Sequence, residues 1–132
     1  MTAPATEATA VVLNLPLAEA VLEQITKHPE THKQAEHWGF RSECGTTLCI
    51  AGQALALTPD VTFVWRPWRD RGEDLHAVLL PGFMDPWDPE DAAREALGLD
   101  LETAEHLFYG LTEDESVAYL RELIAAAKQV TA

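Results

Sequence analysis

Residues 44–57 read Cys44-Gly-Thr-Thr-Leu-Cys-Ile-Ala-Gly-Gln-Ala-Leu-Ala-Leu57, a Gly-Thr-Thr turn running into an almost wholly apolar segment that includes both cysteines of the chain. A threonine hydroxyl accepts a hydrogen bond from the first free amides of a following helix. Thr46 or Thr47 is therefore expected to cap a central helix that runs to Leu57, with Cys49 in its first turn. Two readings of Cys49 follow. It is either a small hydrophobe in the core or a thiolate stabilised by the positive end of the helix dipole.

The helical pattern extends in both directions from this segment. Pro16 suits a first helical turn with Asn14 or Leu15 as cap, and Leu17, Val21 and Ile25 recur at four-residue spacing as far as about Lys27. His28-Pro29 stops that helix, Glu30 to Trp38 reads as another turn or two, and Gly39 closes it. Beyond Pro59-Asp60, Val61 to Trp65 and Leu75 to Leu80 are rich in β-branched and aromatic residues and flank a charged loop containing Gly72. They predict one β-hairpin over roughly 61–80. Three further helices follow, opened by Asp88-Pro89, by Asp100 and by the capping box Thr112-Glu-Asp-Glu115, with the last reaching about Lys128. The expected fold class is thus mainly α with one β-hairpin, five to six short helices around the central one. Residues 1–10 read as a flexible tail and 11–132 as a single globular domain.

Charge narrows the function classes. Against 22 acidic side chains stand 9 lysines and arginines, a formal net charge of −13. Nucleic-acid affinity comes largely from basic side chains neutralising phosphates, so direct DNA or RNA binding is disfavoured and positively charged partners are favoured. No window approaches the roughly eighteen apolar residues of a membrane span. Met1 to Ala10 lacks the basic and apolar regions of a secretory signal, and two cysteines with only four residues between them make no disulfide framework. A cytoplasmic location is expected, and nothing in the sequence asks for a cofactor.

His28-Pro29-Glu30, Trp38, Cys44-Gly-Thr-Thr-Leu-Cys-Ile-Ala-Gly52 and Ala96-Leu-Gly-Leu99, with Ala104 to Phe108, together resemble a group of small uncharacterised proteins of actinobacteria and their phages. These share the order His-Pro-Glu, Trp, Cys-Gly-Thr-x-x-Cys-x-Ala-Gly and Leu-Gly-Leu. The resemblance covers about Ile25 to Phe108 and implies a habitat, not a chemistry.

Four constellations are candidates for function. The Trp65-Arg66-Pro67-Trp68-Arg69-Asp70-Arg71 loop combines two indoles with three guanidiniums, so Trp65, Arg66, Trp68, Arg69 and Arg71 could stack a base and hold a phosphate, or anchor a protein partner. The arginines could equally pair with nearby acids. A cysteine-dependent hydrolase would use Cys49 as nucleophile, His76 as base and Asp85 as orienter. A zinc site would draw on His32, His37, Cys44 and Cys49, with His28 nearby, although a Cys-x4-Cys spacing fits structural zinc poorly. Between Asp85 and Glu115 the sole lysine or arginine is Arg94, so carboxylates along short helices could imitate a DNA backbone and occupy a DNA-binding protein, or form a solvated face. The favoured reading is a small acidic accessory or regulatory protein of the phage type. It acts by binding a host or phage protein, or a small anionic ligand such as a nucleotide; the hydrolase and the DNA mimic are its alternatives.

Overall fold

A computed structural model describes residues 12–34 and 37–131; the expected N-terminal tail lies outside them. The described residues begin with α1 (Leu15–Lys27), whose N-cap Asn14 accepts from the Leu17 amide at 3.3 Å. The Asn14 Nδ2 also donates to the Ala96 carbonyl, and its backbone amide donates to Leu97 O. A short 3-10 turn (Pro29–Thr31) leads to β1 (Gly39–Ser42) and β2 (Gly45–Leu48), then α2 (Ile50–Ala56). β3 (Thr62–Trp68) and β4 (Gly72–Leu79) follow, and α3 (Pro89–Leu97), α4 (Leu101–Phe108) and α5 (Glu113–Thr131) complete the described chain.

The four strands form an antiparallel sheet in the order β2-β1-β4-β3. The fold is therefore α+β, five helices with a four-stranded sheet among the described residues, and the expectation of a mainly α fold with one hairpin is incorrect. The error lies in the opening stretch. Thr46 and Thr47 do not cap a helix; they lie in β2, opposite Arg41 and Phe40. Threonine serves both purposes, since its branched Cβ favours strands and its hydroxyl favours caps. Strands of four residues are also too short for an alternating pattern to show. The Glu43-Cys44 turn joins them, with Gly45 at φ +118°, a backbone region that side chains rarely adopt. Likewise Gly39 begins β1 and closes no helix, and Glu30–Trp38 supplies only the 3-10 turn among its described residues.

The β3–β4 hairpin is longer than its sequence core suggested. Trp65 to Trp68 continue β3, so that only Arg69, Asp70 and Arg71 form the turn, and a bulge falls between Val64 and Trp65. The C-terminal helices begin where their caps require. The side chains of Asp88 and Asp100 accept from Glu90 N and Thr103 N, while Thr112 and Glu115 make the reciprocal pair at 3.2 and 3.0 Å.

One apolar cluster joins the layers. It takes Ala18, Val21 and Ile25 from α1, Ile50, Ala51, Ala54 and Leu55 from α2, and Leu75 and Val78 from β4. Leu97, Leu107, Leu120 and Ile124 add the C-terminal helices to it. Short α2 sits at its centre, with six of its seven residues buried. None of the helices is long and apolar enough to cross a membrane, among the described residues.

Gly52 lets α2 sit against the strand layer. A Cβ there would collide with the backbone carbonyl of Trp38, which also accepts the Cys49 amide at 3.1 Å, and would press on Leu48. Gly52→Ala should consequently destabilise the protein by about 1–3 kcal/mol, although alanine is the better helix former by ~1 kcal/mol. Urea unfolding measures this, and a variant as stable as the parent would show that the carbonyl can move aside.

Candidate binding cavity

The turn between α4 and α5 approaches the segment that precedes β1, and a cavity of about 740 Å³ lies between them. Gln34, His37, Trp38, Cys49 and residues 108–113 line it. The Trp38 ring packs nearly perpendicular to Phe108 and to Tyr109, at centroid distances of 6.0 and 5.6 Å. Phe108 is buried in the core and Tyr109 is 51 % exposed, so the aromatic wall runs from the interior to the surface.

Gln34 fixes the polar side of the cavity. Only 7 % exposed, it accepts from the Ile50 amide at 3.2 Å, lies 2.9 Å from His32 Nε2, and donates from Nε2 to Leu107 O at 3.2 Å. Its backbone amide donates to Glu113 Oε2 at 2.7 Å. That bond is the main reason the Glu113 carboxyl is held below the usual carboxylate range, with His32 and Lys33 adding smaller electrostatic help. The Tyr109 hydroxyl donates to Glu90 Oε1 at 2.6 Å. Desolvation first, then this hydrogen bond and the charges of Glu90, Asp88 and Glu105, hold the phenol above its ordinary range.

Cys49 is the N-cap of α2, one position earlier than its expected place in the first turn; its Sγ accepts from Gly52 N at 3.4 Å. It is 2 % exposed, and burial pushes its thiol up to about 11. Such a group is neutral near pH 7, the opposite of a dipole-activated nucleophile. His76 lies exposed on β4 and Asp85 exposed in the 80–88 connection, and no hydrogen bond links either of them to Cys49 among the described residues. Cys44 is exposed at the β1–β2 turn. His32 contacts Gln34, whereas His37 Nδ1 lies 2.9 Å from Asp74 Oδ1, and His28 is exposed beyond α1. Among the described residues, no three His, Cys, Asp or Glu side chains are grouped to hold a metal ion.

The aromatic and arginine residues of the hairpin divide between several environments. Asp74, 5 % exposed on β4, receives Arg66 Nε at 2.9 Å on Oδ2 while its Oδ1 faces His37. Phe40 and Trp68 pack on the His37 ring, both at 4.9 Å. Arg41 covers Trp65 at 4.4 Å and pairs with Glu73, and Arg69 lies 5.3 Å from the Trp68 ring centre. Arg71 stands in the exposed turn. The cavity itself was not among the sites expected from sequence. Of its lining, Cys49, His37 and Glu113 lie among the residues that the sequence singles out, each for another role; Gln34 and Trp38 carry no local mark that would bring them opposite residues 108–113.

Compared with models of known protein families, with curated proteins and with solved structures, the chain matches none.

Gln34→Leu, similar in size, would leave the Ile50 amide and the Leu107 carbonyl without their side-chain partner, at a cost of about 1–3 kcal/mol for each group left unsatisfied. Denaturant unfolding checks it. With iodoacetamide at pH 7, Cys44 should alkylate while Cys49 reacts only on unfolding, since a thiol titrating near 11 is ionised to about one part in ten thousand there; peptide mass spectrometry distinguishes the two. Stability supplied by the neutral Cys49 thiol is complete below its unfolded value of 9.0 and is lost as pH rises through about 11.

Proposed function

We propose that this is a small accessory or regulatory protein of the cytoplasm that works by binding, and that the cavity between Trp38 and Glu113 is its binding site. The observation that carries this reading is an open concave site with a three-ring aromatic wall and few, fixed polar groups. The cysteine in its lining is protonated and hydrogen-bonded within its own helix, which supports binding over nucleophilic catalysis. The net charge of −13 supports an electropositive partner.

An anionic ligand at the β3–β4 turn would have to depend on Arg69 and Arg71, because Arg66 is held by the buried Asp74 carboxylate. The cavity offers more enclosed surface than that turn. A library of small soluble fragments followed by two-dimensional amide NMR tests the choice. Hits should converge on the Trp38 indole and the amides of Gly110 to Glu113; shifts confined to residues 66–71, or scattered over the surface, would remove the cavity from consideration.

A further inference from the structure

Building on the reading of the cavity as a binding site, we infer that the group it accepts is an alkylammonium cation, held between the Trp38 and Tyr109 rings and the Glu113 carboxylate. Three separate observations lead to this class. The first is the arrangement of the rings. Trp38 and Tyr109 meet edge to face at 76° with centroids 5.6 Å apart, and both line the cavity. Aromatic faces carry negative potential, and perpendicular rings surround an ammonium head that one flat ring would only touch.

The second is the charge at the site. Glu113 lines the cavity and uses one oxygen, Oε2, to accept the Gln34 amide. Its other contact is with its own backbone amide, and among the described residues no ion pair engages the carboxyl, whose ionised form the Gln34 amide favours. A carboxylate in an aromatic cavity attracts a cation through both Coulomb energy and charge-assisted hydrogen bonds. The third is the surrounding field. Glu90, Asp88 and Glu105 all act on the Tyr109 phenol, and the Glu90 contact is a direct hydrogen bond at 2.6 Å.

The positive groups near the cavity do not cancel this arrangement. His37 is engaged by Asp74 and His32 by Gln34, and the effects of His32 and of the exposed Lys33 on Glu113 are smaller than that of the Gln34 amide. An anionic ligand would meet Glu113 with no arginine or lysine in the lining to offset it. The same cation could arrive as a lysine side chain of a partner protein or as a free small amine.

The test is a titration followed by amide NMR, using choline and its uncharged isostere 3,3-dimethylbutan-1-ol as probes. Choline should shift the Trp38 indole and the Gly110 to Glu113 amides with at least ~10-fold higher affinity than the alcohol. Glu113→Gln keeps an oxygen for the Gln34 amide, so the fold is preserved and the preference should collapse. Equal affinity of the two probes at the cavity would overturn the cation assignment while leaving the binding site intact; no shift at the cavity with either probe, or with the fragment library, would overturn both. A lysine-containing hexapeptide and its norleucine counterpart then separate the sources. Tighter binding of the lysine peptide than of choline assigns a protein partner, and the reverse assigns a free amine.

Discussion

The carboxamide of Gln34 is the constraint on which the arrangement depends. A buried amide must find partners for both its ends, and here the partners belong to different elements: the first amide of α2 and the last turn of α4. The backbone of the same residue reaches the start of α5 through Glu113. One residue outside any helix or strand thereby sets how three helices meet, and the cavity is the space left where they do. Losing these bonds would not merely subtract their energy. It would release the last turn of α4 from the start of α2 and so alter the shape of the site.

The parts of the fold that were legible in sequence are those decided within four residues. Asn14, Asp88, Asp100 and the Thr112-Glu115 pair each act on amides in the next turn, so residue identity alone announces the helix. The β1–β2 hairpin was illegible because its decisive contacts are distant. β1 pairs with β4 through Phe40 opposite Asp74 and Arg41 opposite Glu73, and nothing near Phe40 points to those partners. Without that pairing, Thr46 and Thr47 look more like a cap than a strand, and the cap proves to be the Cys49 sulfur. The site follows the same logic. Its acidic component was visible as a charge run, whereas the meeting of Trp38 with Tyr109 exists only after the chain has folded.

Asp74 shows how the sheet accommodates charge. A carboxylate this buried would be costly alone, but Arg66 approaches one oxygen and His37 the other, with Phe40 and Trp68 enclosing the imidazole. The cluster fastens three strands and the segment before β1 into one unit. Because His37 also lines the cavity, the orientation of that wall is governed from the sheet. The Trp/Arg composition that suggested a ligand site at the hairpin thus has substantial work as internal support.

The two cysteines stand at opposite ends of β2, one in the solvent-exposed turn and one beneath the helix start. An extended strand rises about 3.3 Å per residue, which puts their Cα atoms on the order of 15 Å apart, while a disulfide needs less than about 7 Å. Oxidation therefore has no intramolecular route in the folded chain. Oxidants reach Cys44, whose disulfides must be made with an outside thiol and link two intact molecules when that thiol is a second Cys44, while the buried sulfur keeps its reduced form for as long as the fold persists.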